Sequence, residues 1–467
     1  MEKVWRHLAD RWRNERLEKI TFLINDMQIN FKRDKMKTML TGLLLLASGI
    51  TFSQTSVTAK TIKVNERRIE NRILELAKFG KESGGGSYRV AFTKGDIEAR
   101  AWYISLMKKT GLEVTVDYAG NIIGKRKGKN PSLKPIAFGS HIDMVPDGGN
   151  YDGCVGSVAA LEMIDVLNEN NIVTEHTLEV IIFSNEEGGT IGSMAMAGHV
   201  TKDGLKQVSQ SGLTMAEGIK RIGGNPDSIQ YSVRKKGDII AFLELHIEQG
   251  GILEKENIQI GVVEGIVGIV HWEVTVDGFA NHAGTTPMNM RKDALLAASK
   301  LVIAVNEVIR SVPGKQVGTI GKISAMPGAY NVIPGRVVLG LEIRDLSAEK
   351  IEQLFAGIEK KASTIATSSG TKITFQRQAS SIKPALTDKG LQQKIAASAK
   401  ALGFTTKFMQ SGAGHDAQEM SLLAPVGMIF IPSIGGISHS PKEFSRAVDM
   451  ANGANVLLYT ILKLDKE

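Results

Sequence analysis

GSHIDMVPDGGNYDGCVG, residues 139–156, is the stretch around which the chain is organised. It opens on His141 and Asp143 at the end of an extended segment, because the apolar PIAF (135–138) runs directly into it. Side chains at i and i+2 on a strand point the same way. The pair therefore predicts an imidazole oriented by a carboxylate, the usual support of a metal-ligating histidine. A Gly-Gly turn follows, and Asp152 then stands at the head of an apolar helical run, VGSVAALEMIDVL (155–167). A lone His-x-Asp is ordinarily a satisfied surface pair, so the downstream residues have to decide.

Outward from that stretch, strands alternate with helices. TLEVIIFS (177–184) predicts a strand buried on both faces of a parallel sheet, and NEEGG follows it at once. IIAFLELHIEQGGIL (239–253) is a second such strand, with His246, Glu248 and Gln249 at its exit. Upstream, 65–80 and 94–110 read as charged helices and 112–128 as a hairpin; 200–237 reads as helix and loop. The alternation predicts an α/β sheet. From about Gly265 the texture changes. HWEVTVDG (271–278), the amphipathic 291–312, GTIGKISAM, RVVLGLEIRD, the helix 347–369 and TKITFQRQA follow in the order β-α-β-β-α-β. That order is the ferredoxin-like split. After Ala379 the α/β pattern resumes with a helix from Asp388, FMQSGAGHDAQEM, the strand VGMIFIPS, GGISHSP and a closing helix. We expect a catalytic domain in two parts, 64–264 and 380–467, interrupted by an α+β domain at 265–379.

Composition bounds the partners. The 467 residues are 42% hydrophobic and 23% charged, with 49 glycines, as in a soluble globular protein of two or three domains. Half of the net charge of +8 lies in residues 1–40, which hold ten Lys/Arg against six Asp/Glu. The remainder is too mild for a nucleic-acid footprint, and no nucleic-acid partner is expected. Residues 36–53 read as a signal peptide, with Lys37 in the charged region and an apolar run from Met39 to Phe52. Thr51 and Ser53 are the small residues before cleavage at Gln54. We expect a periplasmic or secreted product with no stable membrane association after cleavage, and residues 1–35 to be a mis-assigned start or an extension. Cys154 is the single cysteine, so no internal disulfide can form, and it is expected to pack beside the site.

Five candidate metal ligands lie beyond strand exits: His141, Asp152, Glu187, His246 and His439. Ligands of open α/β sheets bind beyond the carboxyl ends of the strands. A mixed histidine and carboxylate set suits zinc, with manganese or cobalt as competitors. The two oxygens of Asp152 can bridge two ions. Glu186 and Glu187 are adjacent and cannot both point the same way, so one can bind metal while the other acts as general base toward water.

These motifs, with FSNEEGG, ELHIEQGGILE, FANHAGTTPMNMRKDA, NVIPG…LEIRD, SGAGHDA and GISHSPKE, resemble the di-metal N-carbamoyl-amino-acid amidohydrolases and allantoate amidohydrolases. These belong to the clan of aminoacylase and carboxypeptidase-type metallohydrolases. The likeness runs from Val64 to the end, and its most specific piece is His246 in ELHIEQG, where the peptidase branches have a carboxylate. It implies two divalent ions per subunit. His141 and His246 would hold one ion, Glu187 and His439 the other, with Asp152 bridging, Glu186 as base and Asp143 in support. It makes the inserted domain a lid and dimerisation domain. His282 would polarise the scissile carbonyl within its own subunit or across a homodimer. Asn331 and Arg344 would grip the substrate carboxylate, and Gln249 and His415 would contact substrate. Two departures stand near the pocket: Met144 follows His-x-Asp where Thr is usual, and GGTIG follows the glutamate pair where many members have Arg-Phe.

The implied reaction is hydrolysis of the ureido C–N bond of a small carboxylate-bearing molecule such as an N-carbamoyl-L-amino acid. Allantoate is the alternative. A dipeptidase or aminoacylase is a more distant one, against which His246 argues. A non-catalytic binding protein would be expected to have lost ligands, and all five stand here with Glu186.

Overall fold

The computed structural model describes residues 62–81, 87–378 and 381–467. The expected signal peptide, 36–53, and the 1–35 segment lie outside the described residues. Two helices lead, α1 (Glu66–Leu76) and α2 (Lys94–Lys109). Asn65 caps α1 by accepting a hydrogen bond from the Arg68 N–H. The hairpin β1 (Glu113–Val116) and β2 (Ile122–Arg126) follows, then β3 (Ile136–His141), α3 (Cys154–Glu169), β4 (Leu178–Phe183), β5 (Ala241–Ile247) and β6 (Ile260–Ile266).

The inserted part comprises β7 (Gly268–Asp277), β8 (Asn281–His282), α4 (Ala294–Ser311), β9 (Val317–Met326), β10 (Val332–Ile333), β11 (Arg336–Asp345), α5 (Ala348–Ser369) and β12 (Lys372–Arg377). The chain then returns through β13 (Ala385–Leu386), α6 (Lys389–Ala401), β14 (Thr406–Ser411), β15 (Val426–Ile431) and α7 (Ala447–Leu464).

Nine strands form the main sheet in the order β1-β2-β4-β3-β5-β15-β6-β13, with β14 paired to β6. Its centre, β4-β3-β5-β15, is parallel throughout. Every residue of β3, β4, β5 and β15 is buried. Alternate side chains serve opposite faces. Phe138, Val180, Ile182, Leu243 and Leu245 pack with α1, α3 and α7. Ala137, Ile181, Phe183, Phe242 and Phe430 pack with Met196, Ala417 and Met420 on the other side. This two-sided burial is why the strands read as apolar runs instead of alternating patterns, and each fully buried Phe contributes about 1.5–3 kcal/mol.

The second sheet is antiparallel in the order β12-β7-β11-β9, the ferredoxin-like arrangement. Here period 2 is visible because only one face is covered. Trp272, Val274, Leu339 and Leu341 pack on α4 and α5, while His271, Glu273, Glu342 and Arg344 take the other face. The fold is thus mixed α/β with an inserted α+β sheet. Among the described residues, no helix is long and apolar enough to cross a membrane. The strands β6 and β14 are not foreseen in the sequence, since Gly261 and Gly265 interrupt the pattern in one and TKFMQS carries too few apolar residues in the other.

Candidate metal centre

The four parallel strands at the middle of the sheet deliver their exits to one crevice. Glu186 and Glu187 follow β4, His141 ends β3, His246 lies near the end of β5, and His439 follows β15. Asp152 stands two residues before α3. Between Asp152 and that helix, Gly153 is compulsory. Its φ is +63°, and a Cβ there would sit 2.3 Å from the His141 ring.

One half of the site is built from His141, His246 and Asp152. The His141 Nδ1 faces the backbone carbonyl of Asp143 at 3.1 Å, and the His246 Nδ1 faces that of Ile247 at 2.9 Å. Each carbonyl takes an N–H, which leaves each Nε2 with a lone pair. Both Nε2 atoms then converge on an acceptor: His246 Nε2 is 3.1 Å and His141 Nε2 3.6 Å from Asp152 Oδ1. The buried His141 Nε2 has no hydrogen-bond partner among the described residues. The His246 Nε2 accepts from the Gly153 N–H at 3.1 Å, whereas the His141 lone pair faces carboxylate oxygens; the three donors lie within 4.8 Å of one another, a set that fits a cation. Without an ion, a proton substitutes. Burial opposes it, but Asp152 and Glu244 lift the His246 imidazole to about 9. Burial lowers His141 to about 4. For Asp152 burial acts upward, and the His246, His439 and His141 imidazoles nevertheless hold it well below the usual carboxylate range.

The other half joins the second oxygen of Asp152 to Glu187 and His439. The His439 Nε2 lies 3.5 Å from Asp152 Oδ2 and 3.4 Å from Glu187 Oε2, and these three donors also fall within 4.8 Å of one another. The residues present fit two divalent ions sharing Asp152. This half is less enclosed, for the His439 side chain is 50% exposed against 1% for His141 and His246. His439 also holds a left-handed φ of +52°, the kind of strain that clusters at functional sites.

Glu186 occupies the inner wall, its Oε2 3.6 Å from His141 Nε2. Burial, then the carboxylates of Asp416, Glu187, Asp143 and Asp152, push it well above the ordinary range. The Asp143 carboxylate lies 3.8 Å from His141 Nδ1, which itself meets the Asp143 backbone carbonyl. The same carboxylate accepts from the backbone N–H groups of Glu186 at 3.3 Å and Glu187 at 3.1 Å. Its role is to brace the glutamate pair, and burial raises it to about 6.

The substrate candidates divide. Gln249, at φ +58°, donates from Nε2 to Asp152 Oδ2 at 2.5 Å, and its buried Oε1 has no partner among the described residues. His415 is buried behind His246, rings 4.4 Å apart, and its Nε2 meets Ser411 Oγ at 2.8 Å. His282 and Asn331 come together in the inserted part, where β8 pairs with β10 and the Ala283 N–H donates to Asn331 O at 2.9 Å. Both are exposed. Arg344 donates to both oxygens of Glu342 at 2.7 and 3.0 Å and to Gly412 O at 2.6 Å. Cys154 is buried, with Arg89 Nη2 donating to its sulfur at 3.2 Å, and burial pushes the thiol up to about 11. Sequence reasoning missed Ser438 and Glu443, although both stand in the GISHSPKE motif.

Residues 137–463 match the model of peptidase family M20/M25/M40. An N-carbamoyl-L-amino acid amidohydrolase of Geobacillus stearothermophilus is 39% identical over 406 residues, 86% of this chain and 99% of the relative. A ureidoglycolate hydrolase of Arabidopsis thaliana is 38% identical, over 87% of this chain and 88% of the relative. An allantoate amidohydrolase of Bacillus subtilis is 35% identical, over 83% and 95%. Among solved structures, a hydantoinase/carbamoylase family amidase of Burkholderia multivorans superposes with a TM-score of 0.81 at 36% identity, covering 87% of this chain and 99% of that one. The chain belongs to peptidase family M20/M25/M40 and, within it, to the hydantoinase/carbamoylase group of amidases.

Proposed function

We propose that this protein is a metal-dependent amidohydrolase that cleaves the ureido C–N bond of an N-carbamoyl-L-amino acid or a similar ureido acid. The observation that carries the reading is the convergence of two imidazole lone pairs and the Asp152 carboxylate in a buried crevice beside Glu186. His141, His246 and Asp152 would hold one ion, and Glu187, His439 and Asp152 the other, with zinc first and manganese or cobalt as competitors. When bound, the ions supply Lewis acidity toward the scissile carbonyl and the attacking water. Glu186 takes a proton from that water and returns it to the leaving nitrogen. A carboxyl pushed upward by burial suits both steps. For a carbamoyl amino acid, water and substrate give ammonia, carbon dioxide and the free amino acid.

Recognition falls to the inserted part. His282 would donate toward the carbonyl oxygen, and Asn331 with Arg344 would hold the substrate carboxylate, with Gln249 and His415 lining the inner side. A homodimer through the lid belongs to the proposal. In support, β9 is an edge strand with Val317 and Ile323 51% and 53% exposed, and α4 shows Leu296 and Ile303 at 50% and 60%. Export to the periplasm or beyond is proposed from the Met36–Ser53 pattern alone.

Allantoate and ureidoglycolate are the second reading, because relatives of similar identity are named for them. Ammonia release is to be measured from a panel of N-carbamoyl-L-amino acids, allantoate, ureidoglycolate and dipeptides, before and after chelation and metal restoration. Activity confined to dipeptides, or unaffected by metal removal, sinks the reading.

A further inference from the structure

The two ion-binding halves depend on loops far apart in sequence, and one buried side chain joins them. Glu443, 4% exposed, accepts at Oε1 from the backbone N–H of Tyr151 at 2.8 Å and of Asp152 at 3.0 Å. Its Oε2 lies 2.8 Å from Ser438 Oγ, which is also 2.9 Å from Asp152 Oδ2. The Asp152 loop leaves room for this carboxylate: a Cβ on Gly149 would come within 2.2 Å of Glu443 Oε1. The ring of Phe444 meets that of Tyr151 edge-on at 5.5 Å, a second contact between the loops. Ser438 is the neighbour of His439, whose own side chain is half exposed and whose backbone is left-handed.

We propose that Glu443 is a positioning residue that clasps the Asp152 loop to the His439 loop and so sets the affinity of the ion held by Asp152, Glu187 and His439. The other ion loses little when the clasp is cut, because His141 and His246 are fixed by strands β3 and β5 and by backbone carbonyls. Glu443 hydrogen-bonds none of the five ligand side chains; it acts through the Tyr151 and Asp152 backbone N–H groups and through Ser438 Oγ.

The inference rests on the metal-centre reading, and one experiment separates the two. Full-length protein loaded with Zn²⁺ is dialysed against graded chelator, and zinc per subunit is counted. Wild type is expected to release its ions in two steps. Glu443→Ala should weaken the looser step by roughly 10–100-fold, the usual cost of an outer partner, with the tighter step in place. Glu443→Gln should restore most of it, since the amide oxygen still accepts from Tyr151 and Asp152 while the NH₂ donates to Ser438. A merely structural role would shift both steps together and lower the unfolding temperature of the stripped protein, and that pattern overturns the proposal. So does a wild-type profile in Glu443→Ala, or no rescue by Gln. Should Glu443→Ala fail to fold, Ser438→Ala cuts only the side-chain link, and an unshifted looser step there overturns it. Wild-type protein that holds no zinc overturns the metal centre itself and this inference with it.

Discussion

The two halves of the centre are built on different supports. His141 and His246 come from adjacent parallel strands, 1% exposed, with each Nδ1 pinned by a backbone carbonyl. Glu187 and His439 come from loops beyond β4 and β15, and His439 is half exposed. Strands buried on both faces open only with the whole sheet, whereas exposed loops open locally at little cost. The contrast teaches that one half of the centre is part of the core and the other is assembled upon it. The resulting expectation is a tight ion and a looser one, joined by the carboxylate that belongs to both.

The largest effect should follow from removing that shared ligand. Asp152→Ala takes an oxygen from each half and leaves four donors without their common anion. Metal analysis should find both ions lost at chelator concentrations that wild type resists, with activity gone. Retention of one tight ion would show that the strand-borne half stands without Asp152 and would sharpen the contrast between the two halves. Glu186→Gln is the opposite case. It removes no ligand, so zinc per subunit should hold while kcat falls by the ~10²–10⁴-fold typical of general-base loss. Substantial retained turnover would place the base elsewhere.

Acid should test the strand-borne half next. In the metal-free protein the His246 imidazole stands at about 9, so near neutrality it carries a proton that an entering ion must displace. The sign follows directly: below that pKa, affinity falls about tenfold for each pH unit and each proton released. Between pH 8 and pH 6 the tighter ion should therefore weaken by at least ~10²-fold, with proton release seen by calorimetry in buffers of different ionisation enthalpy. A flat profile would mean that His246 is neutral before the ion arrives.

Much of this was legible because function here sits at glycine-bounded strand exits. His141, Asp152, the glutamate pair, His246 and His439 each follow an apolar run that only a buried strand explains. The ferredoxin-like insertion was legible for a different reason, since a sheet covered on one face writes period 2 into HWEVTVDG and RVVLGLEIRD. What was illegible depended on where elements stop and on contacts distant in sequence. The Asp143 carboxylate, 3.8 Å from His141 Nδ1, also holds the backbone of Glu186 and Glu187, 43 and 44 positions on. Glu443 meets Tyr151 and Asp152 across 292 and 291 positions, and no local pattern records such a contact. Strand β6 was hidden by glycines that read as turn signals.

Arg344 is the smallest predicted effect and links the inserted sheet to the crevice. Adjacent strand residues face opposite ways, so Arg344 does not pair with its neighbour Asp345. Asp345 turns inward to Lys350 at 3.3 Å, and Arg344 pairs with Glu342 on its own face. Its remaining nitrogen donates to Gly412 O, in the SGAGHDA segment of the main unit. The guanidinium could therefore read a substrate carboxylate by exchanging Glu342 for it, or simply fasten the lid. A bidentate charge-assisted pair is worth about 1.5–3 kcal/mol. Arg344→Ala should then cut kcat/KM by at least ~10-fold for a ureido acid. Arg344→Lys should recover little, because an ammonium lacks the planar fork. A substrate with its carboxylate replaced by an amide should hardly notice either change. Equal losses for acid and amide would make Arg344 a latch on Gly412, leaving recognition of the carboxylate to the two-sided crevice itself.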